Sequence, residues 1–268
     1  MQHVLSTLLA SSLAVFFVTS SAYAEPPRLL FDGVSLNGWT LLSGQPVSDA
    51  WEAVDGTLHL KPGRSGGANI VTDREYRDFE LSFEWKIKAG GNNGLKYRVR
   101  RYGDQYLGCE YQMLDDDAYR TELKPRGMTG SLYEVYEPLD TKQLRPVGEF
   151  NHSRIVVRGQ HVEHWLNGQR IVAAEVGSPD WFERVAASKF SDVEGFGLNR
   201  DGKIMLTDHS SEVWYRNIVL TPLEETYLVA RGTTYGSRSM SRCALGRRVF
   251  VRPPRRIDAC RFVRRFRG

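Results

Sequence analysis

Two nearby stretches carry residue types suited to chemistry on a polyhydroxylated ligand. In Leu95-Lys96-Tyr97-Arg98-Val99-Arg100, the cations alternate with Leu95, Tyr97 and Val99. In Cys109-Glu110-Tyr111-Gln112-Met113-Leu114-Asp115, Glu110 and Gln112 alternate with Cys109, Tyr111 and Met113. Successive side chains of a strand point to opposite faces, so each polar set shares a face. Paired strands would align Lys96, Arg98, Glu110 and Gln112 as a charged row on one sheet surface. Planar carboxylate, amide and guanidinium groups each make paired hydrogen bonds to sugar hydroxyls. The same row also reads as a solvated face laced by cross-strand ion pairs. The pattern alone leaves both readings open.

The remaining candidates are weaker taken singly. Asp208-His209 closes a strand read over 203–207, at a sheet rim, where a lone His is more often structural. Asn92-Asn93-Gly94 reads first as a turn. Asn151-His152-Ser153 matches a glycosylation acceptor, a pattern frequent by chance. No GxSxG, HExxH, Walker or Rossmann pattern occurs, and neither does the closely spaced strand carboxylate motif of laminarinase-type glycosidases. The cysteines show no CxxC or Cys/His zinc spacing, so no metal or other cofactor is expected. Cys109 reads as a small buried apolar residue rather than a nucleophile. A Cys243–Cys260 bridge is open to an exported chain.

The elements that must position these residues are strands. Phe79, Leu81, Phe83, Trp85 and Ile87 alternate with Glu80, Ser82, Glu84 and Lys86, the pattern of a half-buried antiparallel strand. Asp55-Gly56 between 51–54 and 57–60, and Asn167-Gly168 between 162–166 and 169–172, signal two-residue hairpins. Further strands are read over 94–101, 108–114, 154–158, 203–207 and 213–220, and one short helix over 179–188. Many short strands separated by turn signals give an all-β fold, a sandwich of two antiparallel sheets or a jelly roll.

The ends read differently from the middle. An apolar stretch over 5–18 leads into Ala22-Tyr23-Ala24, a small-x-small cleavage pattern, so residues 1–24 are read as a signal peptide and the protein as periplasmic or secreted. The n-region lacks Lys and Arg, and a membrane anchor is the competing reading, although the stretch is short and broken for a span. No span is expected in the mature chain. Residues 223–268 carry a net charge of +9 against +4 for the whole chain, which leaves −5 for residues 1–222. That Arg-rich tail reads more readily as a disordered terminus than as a polyanion-binding arm, and no nucleic-acid partner is expected for the domain read over 25–222.

Taken together, several segments resemble the 3-keto-disaccharide hydrolase domain family. They include Leu30-Phe31-Asp32-Gly33, Gly90-Gly91-Asn92-Asn93-Gly94-Leu95-Lys96-Tyr97-Arg98 and Glu110-Tyr111-Gln112-Met113-Leu114-Asp115-Asp116. Thr129-Gly130-Ser131-Leu132-Tyr133, His164-Trp165-Leu166-Asn167-Gly168 and Leu206-Thr207-Asp208-His209 follow in the same order. The resemblance covers about residues 29–223. It implies a concanavalin A-like jelly roll acting on 3-keto glycosides. Two positions depart from the family pattern. Leu-Gln-Asp-His-Gly is replaced by Leu206-Thr207-Asp208-His209-Ser210, and Asn93 stands where the family usually has Ser.

A ketone at C3 acidifies the C2 proton, so a base can remove it and the aglycone can leave C1 by β-elimination, with water then adding back. Glu110 or His209 suits the base, and Arg98 or Lys96 suits the developing enolate oxygen. Tyr133, Asp115 and Asp208 suit hydroxyl binding or proton donation, and Gln112 substrate binding. The alternatives are a non-catalytic carbohydrate-binding domain of the same fold and a conventional sandwich glycosidase.

Overall fold

The computed structural model describes residues 25–63 and 67–223. The assigned signal peptide, and the assigned tail beyond Leu223 with Cys243 and Cys260, lie outside the described residues. The strands are β1 (Arg28–Leu29), β2 (Trp39–Leu41), β3 (Trp51–Val54), β4 (Thr57–Leu60), β5 (Ile70–Thr72), β6 (Phe79–Ile87) and β7 (Asn92–Tyr102). They continue with β8 (Gln105–Leu114), β9 (Asn151–Arg158), β10 (His161–Leu166), β11 (Gln169–Glu175), β12 (Lys203–Leu206) and β13 (Val213–Pro222). Helix α1 spans Asp116–Tyr119 and α2 spans Pro179–Ala186.

Two antiparallel sheets form the expected sandwich. The larger has the order β11-β10-β9-β6-β13-β4-β3, with β1 also on β13, and the smaller has the order β2-β5-β12-β7-β8. Both hairpins form as read: Asp55 and Gly56 take φ of 48° and 70°, Asn167 and Gly168 take 46° and 87°. Positive φ at both central residues matches the right-handed twist of the flanking strands. The alternation in β6 is realised residue by residue, with every odd-numbered position buried. Its rings meet the other sheet edge-on, Phe79 against Tyr97 at 6.3 Å and Phe83 against Tyr111 at 5.8 Å. Burying one such side chain contributes about 1.5–3 kcal/mol. The short strands β1, β2 and β5 and helix α1 escaped the sequence reading, because two to four residues are too few for a period to show. Among the described residues, no helix is long and apolar enough to cross a membrane.

Polar ties also cross the core. His164, fully buried on β10, donates from Nδ1 to the Gly130 carbonyl at 3.0 Å, and its Nε2 accepts from the Tyr97 hydroxyl at 3.0 Å. A carbonyl only accepts, so Nδ1 carries the proton, and burial keeps the ring neutral. Trp85 Nε1 donates to Ser153 Oγ at 2.8 Å, which donates to the Tyr111 hydroxyl at 2.9 Å, and Tyr111 donates to the Trp165 carbonyl at 3.2 Å. These bonds satisfy the polar groups of a packed interior and fix how the sheets face each other.

Burial pushes the His164 imidazole down to about 4. The unfolded chain binds its proton below about 6.5. The stability tied to the neutral ring is therefore present above pH 6.5 and is lost as pH falls towards 4, by about 3 kcal/mol. Urea unfolding across that window should show the decline, and His164→Gln, though less stable overall, should show a shallower slope. Equal slopes for the two proteins would remove His164 as the cause.

Candidate active site

The register of β7 on β8 sets Lys96 opposite Glu110 and Gly94 opposite Gln112. Leu95, Tyr97, Cys109, Tyr111 and Met113 fill the core, so the polar set lies on the outer face of the smaller sheet. Lys96 Nζ stands 3.7 Å from Glu110 Oε2. The other carboxylate oxygen lies over Gly94, where an added Cβ would sit 2.0 Å from Oε1. Gly94 is itself pinned by Thr207, whose hydroxyl accepts from Gly94 N–H at 2.9 Å and donates to its carbonyl at 3.0 Å. The open, solvated face left possible by the sequence is not what forms: Glu110 is only 6% exposed.

Two further segments border the site. The chain after α1 runs along the free edge of β8, with Tyr133 N donating to the Glu110 carbonyl at 3.0 Å and Gly130 N to that of Gln112 at 2.8 Å. This brings Tyr133 to the site, where burial foremost, and then the charges of Glu110 and Glu134, push its phenol up. Beyond β12 the chain continues through Thr207, Asp208 and His209. His209 is exposed, yet its imidazole is held below the usual histidine range. Loss of hydration dominates, Lys96 and Lys189 add to it, and Glu110 and Asp208 oppose it. The ring is therefore a free base at neutral pH. Gln112 faces the same side and donates to Asn92 Oδ1 at 3.1 Å.

Three of the expected site residues are committed elsewhere. Arg98 falls at a bulge between Tyr97 and Arg100, with φ of 51°, which breaks the alternation that placed it beside Glu110. Its guanidinium is buried, donating to the Arg77 carbonyl, the Gly159 carbonyl and Asp78 Oδ1, each within 3.0 Å. It ties the sheets together, so the enolate role read for Arg98 is withdrawn. Asp115 caps α1 and accepts from Gly90 N at 2.9 Å. Asp208 borders His209, but its carboxylate accepts from Ala68 N at 3.1 Å and Ser210 N at 2.8 Å, holding the turn that aims the imidazole. Ser210 takes φ of 62°, which accounts for the Gly of the family pattern there.

Other readings are resolved in the same way. Asn92-Asn93-Gly94 is not a turn but the start of β7, and the turn falls before it at Gly90, φ 69°. Asn151 is 3% exposed inside β9, out of reach of glycosylation. Cys109 is buried, with its thiol pushed up to about 12. No group of three or more His, Cys, Asp or Glu among the described residues is placed to hold a metal ion. One residue was missed. Lys189, just past α2, places Nζ 4.1 Å from the centre of the Tyr133 ring. A groove of about 670 Å³, lined by Trp85, Asp116, Asp140, Lys142, Arg145 and others, includes none of Lys96, Glu110, Tyr133 or His209.

Residues 26–221 match the family described as the 3-keto-alpha-glucoside-1,2-lyase-like domain. A 3-keto-disaccharide hydrolase of Bacteroides thetaiotaomicron is 27% identical over 226 residues, 73% of this chain and 78% of that protein. Two solved structures from Parabacteroides distasonis, both named for glycosyl hydrolases, share the fold. One has a TM-score of 0.67 at 33% identity, covering 74% of this chain and 94% of its own. The other has a TM-score of 0.56 at 25% identity, covering 74% of this chain and 100% of its own.

Gly94→Ala tests the contact at the centre of the site. The new methyl must displace the Glu110 carboxylate, while the strand backbone can stay in place. Overpacking of this kind costs about 1–3 kcal/mol. Thermal unfolding should show a loss in that range and a crystal structure should show Glu110 turned away from Lys96. An unmoved carboxylate would refute the steric argument.

Proposed function

Because the chain belongs to the 3-keto-alpha-glucoside-1,2-lyase-like family, we propose that it cleaves 3-keto glycosides through C2 proton abstraction and β-elimination, with water adding to the unsaturated sugar to complete a net hydrolysis. The observation that carries this reading is the Glu110 carboxylate lying over Gly94 beside Lys96. β-Elimination needs a base at C2, a positive or hydrogen-bonding group at the C3 oxygen, and a proton for the leaving group. Glu110 takes the proton from C2. Lys96, 3.7 Å from that carboxylate, orients it and binds an adjacent sugar oxygen. Tyr133, whose phenol keeps its proton, serves the leaving-group side, where a proton is delivered as the C1–O bond breaks, and the neutral His209 imidazole orients the substrate as a hydrogen-bond acceptor.

The ketone is what makes this arrangement sufficient. An ordinary glycoside has no acidic C2 proton, and its hydrolysis calls for two carboxylates across the glycosidic bond. The protein should release the aglycone from a 3-keto glucoside and leave the parent glucoside intact. In D2O the recovered 3-keto sugar should carry deuterium at C2, which direct displacement at C1 would not introduce. Glu110→Gln should lower turnover by at least ~100-fold and change stability by only about 1 kcal/mol, since the shape is kept. Activity retained in this variant would reassign the base to His209.

The pH dependence has a definite sign. With the His209 imidazole held below its usual range, the acid limb of kcat/KM should be centred below pH 6.5. A limb centred above 6.5 would exclude neutral His209 as the controlling group. We also propose that residues 1–24 direct export. N-terminal sequencing of the protein recovered from outside the cytoplasm should begin at Glu25, and an uncleaved chain retained with the cells would overturn this.

A further inference from the structure

Lys189 stands apart from the other cations of the site. Among the described residues no carboxylate approaches it within the 4.0 Å of an ion pair, whereas Lys96 is paired with Glu110. Its Nζ rests instead over two rings, 4.1 Å from the centre of Tyr133 and 5.2 Å from that of Phe190. Burial lowers the pKa of its ammonium, the charges of Glu110 and Glu134 oppose that, and its own charge acts on His209, so the ammonium belongs to the electrostatic surroundings of the site.

Its placement is built in. The flanking residues Ser188 and Phe190 are both buried, each 8% exposed, while Lys189 is exposed. Phe190 stacks on Phe196 at 3.9 Å, and Phe196 lies against Trp181 of α2 at 6.3 Å. Ser188 Oγ donates to the Val185 carbonyl at 2.8 Å and accepts from Phe190 N at 3.0 Å. Arg126 donates to the Ala187 carbonyl at 2.9 Å and pairs with Glu134 at 3.2 Å, joining the end of α2 to the segment that carries Tyr133. The insertion formed by α2 thus holds over the Tyr133 ring an ammonium that no carboxylate among the described residues pairs.

We propose that Lys189 contacts the substrate in this same site, its ammonium binding the C3 oxygen as that oxygen becomes negative. The inference rests on the elimination reading above. In the step concerned the C2–H bond breaks, the proton goes to the base, and the electron pair moves to the C3 oxygen as an enolate. The pair then returns, the C1–C2 double bond forms and the C1–O bond breaks with its electrons leaving on the aglycone oxygen. Lys189 forms no bond to carbon and keeps its protons throughout. Lys96 is already paired with Glu110, which leaves Lys189 as the less engaged ammonium for this charge. A preorganised donor aimed at developing charge is worth about 10²–10³-fold in rate.

The test uses the whole protein with a 3-keto aryl glucoside, comparing wild type, Lys189→Met and Lys189→Arg. The expected result is a kcat at least ~100-fold lower for Lys189→Met, with KM within about 3-fold and the unfolding midpoint unchanged. Lys189→Arg should recover at least about a tenth of the lost rate, since the charge is retained. Removing the charge should also move the acid limb of kcat/KM upward, because Lys189 holds the His209 imidazole down. Turnover of Lys189→Met within about 3-fold of wild type would overturn the proposal. So would a borohydride-stable sugar adduct on Lys189, which would make it a nucleophile. A wild type inert towards the 3-keto substrate would instead defeat the elimination reading and this inference with it.

Discussion

The site depends on a carboxylate occupying the space of a missing side chain. Glu110 Oε1 lies where Gly94 would carry a Cβ, at a separation no two such atoms tolerate. The contact works only with the register that sets Lys96 opposite Glu110, because the carboxylate then reaches diagonally across β7 and meets the ammonium on its way. A one-residue slip would send Glu110 into the core and Tyr111 out of it. Thr207, bonded to both peptide groups of Gly94, secures the neighbouring strand at the same point, and two residues later the chain delivers His209. The position of the base, its cation and its imidazole neighbour thus follows from one cross-strand fit.

The bulge in β7 divides the strand into a site half and a scaffold half. Before Tyr97, Lys96 lies on the outer face opposite Glu110. From Arg98 onward the polar residues serve the joint between the sheets and the adjoining loops, with Arg98 on Asp78 and two carbonyls and Arg100 forked onto Glu75. A buried guanidinium is tolerated because a carboxylate and carbonyls meet its donors. Its counterpart in the core is the neutral His164, held between Tyr97 and the Gly130 carbonyl. Gly130 also begins the segment that carries Tyr133, so the interior that joins the sheets supports one wall of the site.

The fold was legible from the sequence because long strands repeat their signal. β6 shows its alternation over nine residues, and both two-residue hairpins announce themselves through residues that accept positive φ. The shared face of Lys96, Glu110 and Gln112 followed from the same period. Arg98 was misplaced by that period, since a bulge has no composition signal in a run of alternating cations and apolar residues. The burial of Glu110 was hidden for a different reason. The edge segment through Tyr133 that borders Glu110 is distant in sequence and irregular in pattern, as is the region after α2. Lys189 lies in such a region, and its only clue was its place directly after a helix with no evident role in an all-β fold.

That helix and the segments around the site also hold the least comfortable polar groups. Among the described residues, Asn93 Nδ2 on β7, Ser131 Oγ beside β8 and Trp181 Nε1 on α2 are buried without a hydrogen-bond partner. Arg126 Nε lies 3.2 Å from Glu134 Oε2 but off the hydrogen-bonding line. Each unmet buried group costs about 1–3 kcal/mol. Asn93 shows how such a cost arises. Its Oδ1 accepts from the Tyr215 hydroxyl at 2.6 Å and from Gly94 N at 2.9 Å, so the amide is fixed by bonds on one side while its NH2 is left over. All four lie in elements that place Gly94, Tyr133 or Lys189, so the chain gives up stability where the site is held rather than across the rest of the sandwich.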